Sequence, residues 1–479
     1  MKGPLVVIGD ALLDVDVEGR AGRLCPDAPV PVLDDLTERA RPGGAALAAA
    51  LARHDGVEVV LVTALGDDEA GDRLQRLLEG VEVVALSARG ATPVKRRIRA
   101  EGQSLVRLDS GGAPGGVAPA PQRALDAVRR AGAVLVSDYG RGTVDAEGLR
   151  DVLADVAADI PVVWDPHPRG GEPAPGARLV TPNEEEAAVL AARRGFEVQG
   201  PRHSLVSVRR RAEALGRVWR ARGVAVTLGA RGALLTYGAG TPVLVPAPAV
   251  QCIDACGAGD RLATSAAAAL ASGSVIADAV AEGVRRAAEY VASGGPATLD
   301  RRSGTAPAWQ TLHVSGPDGS TEDRRPTVVA TGGCFDLLHT GHVETLRAAR
   351  ALGDRLVVCL NSDASVRRLK GPGRPIVPEA DRARVLLALE CVDEVVLFDE
   401  DTPVDVLRRV RPAIWTKGGD YAGVDVPELA VLEEWDGQAV VLPYVEGRST
   451  TALVEAASGR SARPPLGAAT AARTERSDA

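Results

Sequence analysis

The sequence predicts an α/β protein built as two consecutive units, each organised on a largely parallel sheet. Three observations carry that expectation. At 479 residues the chain is too long for one ordinary hydrophobic core. Short Val-rich runs alternate with Ala/Leu/Arg stretches of helical period, which is the pattern of βαβ units. One stretch rich in Pro, Gly, Ser and charge, residues 301–326, interrupts the alternation and reads as a linker.

In order along the chain, strands are expected at LVVIG (5–9), VEVVLVTAL (57–65), AVLVSD (133–138), PVVWD (161–165), RLVTPN (178–183) and VAVTLG (224–229). Together these place the first unit at residues 1–300. A second series begins at TVVATGG (327–333) and runs through RLVVCLNSD (355–363), EVVLFDE (394–400) and AIWTKGGD (413–420), giving a second unit at 327–456. The remaining residues, 457–479, have the composition of a disordered tail. The two halves show no internal repeat.

Composition narrows the function classes. A hydrophobic content of 45% with 25% charged residues describes a soluble globular protein, and only 3% aromatics means cores of Ala, Val and Leu. The formal charge of −8, with no basic block, argues against a nucleic-acid binder. The alanine-rich run near 262–281 is interrupted by Ser, Gly and Asp and makes a poor membrane span. Six cysteines without a CxxC pair, and a first strand that starts where a signal peptide would lie, suggest a reduced, cytoplasmic setting. Only Lys2, Lys95, Lys370 and Lys417 are lysine among 56 basic residues, so each is a weak candidate for a role arginine does not fill.

In the first unit the most informative segment is Asp254-Ala-Cys-Gly-Ala-Gly-Asp260, followed by a long apolar run. Small residues before a helix let backbone N–H groups converge on an anion, with the helix dipole adding partial positive charge. An aspartate at that mouth suits proton abstraction from a hydroxyl attacking a γ-phosphate, though Asp260 is also an ordinary first-turn helix residue. Gly43 and Gly44 precede another helix. Asn183 and Glu186 end a strand at a spacing that suits water or Mg²⁺. Thr227, Gly229 and Gly232 mark a further strand-to-turn segment.

In this order the set resembles the ribokinase-like (PfkB) sugar kinases, over roughly residues 3–300. The resemblance implies that Asp260 is the base, that the backbone of Cys256, Gly257, Ala258 and Gly259 forms the anion hole, and that Asn183 and Glu186 serve Mg²⁺ and phosphate. It also implies nucleotide binding at Thr227, Gly229 and Gly232, sugar binding at Asp10, Asp14, Gly43 and Gly44, and a kinase-mediated homodimer. Lys95 and Arg107 are candidates for a phosphate already on the sugar, or else solvated charges on strand edges. Two residues depart from the family: Leu47, where asparagine is usual, and Arg261, where a small or apolar residue is commoner.

The second unit contains Gly-Gly-Cys-Phe-Asp-Leu-Leu-His-Thr-Gly-His (332–342), between a strand and a helix. Ligands bind at that end of an open α/β sheet. His339 and His342, at i and i+3, can face one way, with Gly341 leaving room between them. A metal pair needs a third ligand, and no HExxH or His/Cys cluster is present. Structural histidines at a turn, or histidines on nucleotide phosphates, remain. The latter stabilises displacement of pyrophosphate by a sugar phosphate, a nucleophile that needs no base.

Gly333, Phe335, Asp336, His339, Gly341 and His342 match the GxFDxxHxGH motif of cytidylyltransferase-like nucleotidyltransferases, which implies a Rossmann-like C-terminal domain. That resemblance also implicates Lys370, Lys417, Gly418, Gly419, Asp420, Ser449 and Thr450 in nucleotide contacts. With RLCPDAPVPVL, LVSDYGRG, LNSDASVRRLKGPGRP and KGGDY, the fused order resembles the bifunctional heptose-7-phosphate kinase/heptose-1-phosphate adenylyltransferases. The implied substrates are a sugar phosphate and ATP, with Mg²⁺. Alternatives are a transferase with a degenerate kinase-like domain, another sugar or base (CTP or GTP), and a non-enzymatic sensor.

Overall fold

A computed structural model describes residues 3–100, 103–112, 116–198, 201–238, 240–300, 326–418 and 428–443. Of the expected linker only Pro326 is described, and 457–479 lie outside the described residues.

The first unit contains β1 (Leu5–Gly9), β2 (Ala11–Leu24), β3 (Pro31–Gly44), β4 (Val59–Leu65), β5 (Glu82–Ser87), β6 (Val94–Ala100) and β7 (Gln103–Ser110). It continues with β8 (Ala133–Asp138), β9 (Val162–Pro166), β10 (Leu179–Val180), β11 (Val224–Thr227), β12 (Ala233–Thr236) and β13 (Val243–Val245). The second unit supplies β14 (Val328–Gly333), β15 (Arg355–Asn361), β16 (Glu394–Phe398), β17 (Ile414–Gly418) and β18 (Gln438–Leu442).

The main sheet of the first unit runs β5-β4-β1-β8-β9-β10-β11-β12-β13, parallel as far as β11 and antiparallel beyond it. Period-two alternation sorts its side chains onto two helical layers. Val6, Ile8, Val134 and Val136 join one core, and Leu5, Val7, Ala133 and Leu135 the other. Burial on both faces is why these strands read as continuous apolar runs rather than alternating ones.

The second unit runs β16-β15-β14-β17-β18, all parallel. Parallel pairing of β18 with β13, through Val243 and Val441, makes the two sheets continuous. The Val441 N–H donates to the Pro242 carbonyl there at 3.0 Å.

All the expected strands form, although the one at 178–183 contracts to Leu179–Val180. A second sheet, β3-β2-β6-β7, is absent from the sequence expectations. Its outer strand β7 is exposed at all eight residues, Leu105, Val106 and Leu108 included, so it has no buried face to impose an alternating pattern. This sheet starts where β1 ends, with Ala11 N–H donating to the Thr63 hydroxyl of β4 at 3.0 Å, and carries Asp14, Lys95 and Arg97.

Candidate active sites

The floor of the first site is built by Asp10. It is buried, and its carboxylate accepts the N–H groups of Tyr139 (3.1 Å), Arg141 (2.9 Å) and Thr143 (3.1 Å). Asp10 therefore holds the loop after β8 rather than offering an open carboxylate to a sugar. That loop aims Tyr139 at the catalytic candidate: the Tyr139 hydroxyl donates to Asp260 Oδ1 at 3.1 Å. Gly44, at φ 59°, has to be glycine, because a Cβ would stand 2.5 Å from the Asp10 carbonyl oxygen and press on the Tyr139 ring.

Asp260 sits in the first turn of the helix Ala258–Ala271. Burial pushes its carboxyl up to about 7, reinforced by Asp14 and Glu186 and opposed by the Tyr139 hydrogen bond and by Lys95. The Tyr139 hydroxyl is itself pushed up, by burial and by Asp260, so it stays a donor. Asp165, on β9, accepts from the Thr181 hydroxyl at 2.9 Å and is held well above the usual carboxylate range by burial, Asp260 and Glu186.

The expected anion hole is narrower than the sequence implies. Cys256 N–H donates to Asp254 Oδ1 at 2.8 Å and Ala258 N–H to the Ala255 carbonyl at 3.1 Å, so both are consumed in shaping the turn. Gly257 and Gly259 remain for a ligand. At Gly257 (φ 78°) a Cβ would lie 2.6 Å from Leu47 Cδ2, whereas open space lies over Gly259.

The two family departures point away from the cleft. Leu47 is 3% exposed, clustered with Leu51 and Tyr290 behind the Gly257 turn. Arg261 reaches backward to Asp55, with contacts of 2.7 and 3.1 Å, and its side chain is 7% exposed.

Asn183 and Glu186 cap their own helix: Glu186 N–H donates to Asn183 Oδ1 and Asn183 N–H to Glu186 Oε2, each at 2.9 Å. Burial raises the Glu186 carboxyl. Thr227 ends β11 beside Asn183, and Gly229 and Gly232 shape the turn that follows.

On the second sheet, Asp14 and Lys95 lie opposite each other across β2 and β6. Asp14 and Gly43 are also in contact: a Cβ at Gly43 would stand 2.6 Å from Asp14 Oδ2. Arg97 pairs with Asp14 at 3.1 Å. Lys95 acts electrostatically on Asp260. Arg107, on the exposed β7, is bound in two-point fashion by Asp109 at 2.9 and 2.7 Å, which neutralises the charge expected to serve a phosphate.

In the second unit, β14 ends at the GGCF turn and His339 stands at the N-cap position of the helix Thr340–Arg350 without a side-chain capping bond. The His339 and His342 rings stack at 3.9 Å, and Phe335, at φ 44°, brings its ring 5.3 Å from His342. Burial, His339 and Lys370 together push His342 down to about 4. Gly341 is buried within the same turn, and Gly333 lies against the Phe335 ring. Parallel pairing brings Lys417 and Gly418, at the end of β17, beside this turn. Lys417 pairs with the nearly buried Glu428 at 2.9 Å.

Asp336 has a different task from the expected nucleotide contact. It is buried, accepts the N–H groups of Ile376 (2.6 Å) and Val377 (3.0 Å), and pairs with Arg374, so it shapes the loop after Lys370. Arg382, 1% exposed, ties this loop to the site by donating to Val377 O, Asn361 O, Cys334 O and Asp363. Gly419, Asp420, Ser449 and Thr450 lie outside the described residues. Among the described residues no group of three His, Cys, Asp or Glu is placed to hold a metal, and no helix is long and apolar enough to cross a membrane.

Sequence reasoning does not reach Tyr139, Asp165, Arg374 or Arg382. The DYG triplet and the WDP triplet at strand ends were the available signals, but neither specifies a partner.

Residues 3–301 match the pfkB family carbohydrate kinase model, and residues 330–454 the cytidylyltransferase-like model. The bifunctional protein HldE of Streptomyces coelicolor is 55% identical over 95% of this chain and 97% of its own length. That of Azorhizobium caulinodans is 38% identical over 94% and 97%. A solved Arabidopsis thaliana ribokinase, complexed with ribose and ATP, is 22% identical and covers 63% of this chain and 100% of its own, with a TM-score of 0.49. With one such protein matched from end to end, the chain belongs to the HldE family of bifunctional enzymes, a carbohydrate kinase and a nucleotidyltransferase on a single polypeptide.

Proposed function

We propose that the kinase half, residues 1–300, phosphorylates D-glycero-D-manno-heptose 7-phosphate at C1 with ATP, and that the half at 327–456 transfers an adenylyl group from ATP to heptose 1-phosphate. The observation that supports the first step is the state of Asp260: a carboxylate poised near neutrality, with one oxygen on Tyr139, beside the open space over Gly259. Its second oxygen takes the C1 hydroxyl proton as the sugar's C1 oxygen bonds to the γ-phosphorus and the bond from the γ-phosphorus to ADP breaks. The N–H groups of Gly257 and Gly259, with Lys95, offset charge on the moving phosphoryl.

Mg²⁺ fits the nucleotide side of this cleft. Burial and neighbouring carboxylates hold Asp165 and Glu186 above their ordinary range, a strain that a cation relieves. Asn183 and Glu186, each of which already uses an oxygen in the helix cap, would hold the ion. When bound, the ion neutralises charge on the nucleotide phosphates.

In the second half an oxygen of the sugar 1-phosphate attacks the α-phosphorus of ATP, and pyrophosphate leaves. The nucleophile is already ionised, which agrees with a site of His339, His342, Lys370 and Lys417 without a carboxylate base. A separate phosphatase must remove the 7-phosphate between the two steps.

The degenerate-kinase alternative rested on Leu47, and its burial behind Gly257 removes that motive. The exposed apolar residues of β3 and β7, among them Leu36, Leu105 and Leu108, suit a homodimer formed through the second sheet. A cytoplasmic protein that binds neither nucleic acid nor membrane completes the reading. Phosphorus NMR of the purified chain with heptose 7-phosphate and ATP tests it: a new anomeric phosphate on the sugar is expected, and ADP formation without it contradicts the assignment.

A further inference from the structure

Lys417 stands next to the end of β17, and period-two alternation sends its side chain to the same face of the sheet as that of Trp415. On that face the buried Trp415 packs with Val431 and Leu432 of the short helix Leu429–Leu432. Glu428 immediately precedes this helix. The Leu432 N–H donates to the Glu428 carbonyl at 3.1 Å, and the Gly437 N–H to the Leu432 carbonyl at 2.8 Å. Backbone bonds and core packing therefore fix where the Glu428 carboxylate stands. The ammonium of Lys417, on a flexible four-carbon stem, has no such support of its own.

The carboxylate grips that ammonium at two points: Nζ lies 2.9 Å from Glu428 Oε1 and 3.2 Å from Oε2. The Glu428 side chain is 5% exposed and that of Lys417 26%, so the acid is withdrawn from water while the ammonium keeps an open side. A buried carboxylate needs a cation, and arginine meets that need as well as lysine does. Elsewhere among the described residues the acids pair with arginine, or with His203, and lysine makes an ion pair only here. A planar guanidinium spends its fork on one carboxylate, whereas a compact ammonium can touch a carboxylate and a further anion together.

The pair stands beside the stacked histidines. β14 and β17 pair with Thr331 opposite Thr416, which sets Lys417 level with Gly332, where β14 turns toward His339. On the other face a Cβ at Gly418 would lie 3.5 Å from Thr345 Cγ2, and the Thr345 hydroxyl donates to the Gly341 carbonyl at 2.9 Å. The strand end that carries Lys417 is thus packed on the helix turn that carries His342.

We propose that Glu428 is a positioning residue for nucleotidyl transfer: it holds the Lys417 ammonium at the strand end, so that the charge is already in place when pyrophosphate departs. This rests on the role given above to Lys417. Charge fixed in advance costs no reorganisation at the moment of reaction. Glu428 also lowers the net positive charge that an arriving nucleotide meets. Removing it therefore acts in two directions, favouring ATP binding and disfavouring the transition state, and the two separate in KM and kcat.

Pyrophosphate release by the full chain from heptose 1-phosphate and ATP tests this in wild type, Glu428→Gln, Glu428→Asp, Lys417→Met and the double variant of Glu428→Gln with Lys417→Met. In Glu428→Gln kcat should fall about 10- to 100-fold, the worth of a hydrogen bond between charged groups, with KM for ATP no higher than in wild type. Glu428→Asp keeps the charge but draws the anchor back by one methylene, and should lose kcat as well. In the Lys417→Met background Glu428→Gln should cost nothing further, because Glu428 acts through the lysine; a packing role would cost the same with or without it. An unchanged or raised kcat in Glu428→Gln, a wild-type kcat in Glu428→Asp, or an equal further loss beside Lys417→Met overturns the proposal. A loss in Lys417→Met with none in Glu428→Gln sinks the positioning role alone. A wild-type rate in Lys417→Met, or no pyrophosphate from wild type, sinks the reading of the second site together with the role that rests on it.

Discussion

Tyr139 and Asp260, 121 residues apart in the chain, meet in a 3.1 Å hydrogen bond in which the phenol donates to the carboxylate. That bond fixes one carboxylate oxygen and leaves the other for a substrate proton. It also opposes the rise that burial imposes on the Asp260 carboxyl. Removing it as Tyr139→Phe should move the acid limb of the kinase pH–rate profile to higher pH and lower kcat about tenfold, the low end of what a hydrogen bond to a charged group is worth. A profile of kcat/KM against pH checks this, and an unmoved acid limb contradicts the role.

Asp260 should weaken the fold in proportion to its function. Its carboxyl lies near 7 in the fold against an ordinary 3.8, so the folded state prefers the protonated form. The stability that proton contributes is full below pH 3.8 and lost as pH rises through 7. Asp260→Asn therefore raises the stability of the kinase half at pH 8 and not at pH 4, by roughly 1–3 kcal/mol after discounting for solvent in the cleft. Denaturation at the two pH values, beside the loss of kinase activity, reads both sides of this trade.

Restoring the family asparagine at position 47 should not improve the kinase. Leu47 is buried against Leu51 and Tyr290, so Leu47→Asn removes apolar packing and buries an amide. A loss of about 2–4 kcal/mol in denaturant unfolding is expected. A gain in sugar affinity without loss of stability would show that the side chain reaches the cleft.

His342 gives the second half a proton-linked signature. Held at about 4, it is neutral at pH 6 before nucleotide arrives, and adjacent phosphates should raise it. Nucleotide binding near pH 6 should therefore take up a proton, visible as a dependence of calorimetric enthalpy on the buffer's ionisation heat. His342→Asn should lose that part of the dependence, while any share from the kinase half persists.

The parts legible in sequence are those whose chemistry is local. Gly257, Gly259 and Asp260 stand together at one helix start, and His339, Gly341 and His342 at the second strand-to-helix junction, so each group is visible as a short segment. Residues whose role depends on a distant partner are silent. Asp10 looks like a sugar ligand until Tyr139, Arg141 and Thr143 are seen to occupy it. Asp336 resembles a nucleotide contact until the backbone at Ile376 and Val377 claims it. Arg382 carries no pattern at all, because one buried guanidinium bonded to three segments, at Cys334, Asn361–Asp363 and Val377, follows only from the tertiary fold. β7 escaped because a strand with no buried face leaves no alternation to read.

The central claim, two separate active sites on one chain, is tested most directly by assaying Asp260→Asn and His342→Asn side by side. Each is given heptose 7-phosphate with ATP, and separately heptose 1-phosphate with ATP. Asp260→Asn should fail to phosphorylate heptose 7-phosphate yet release pyrophosphate from heptose 1-phosphate at the wild-type rate, and His342→Asn should do the reverse. Loss of both reactions in either variant, or of neither, would contradict the assignment.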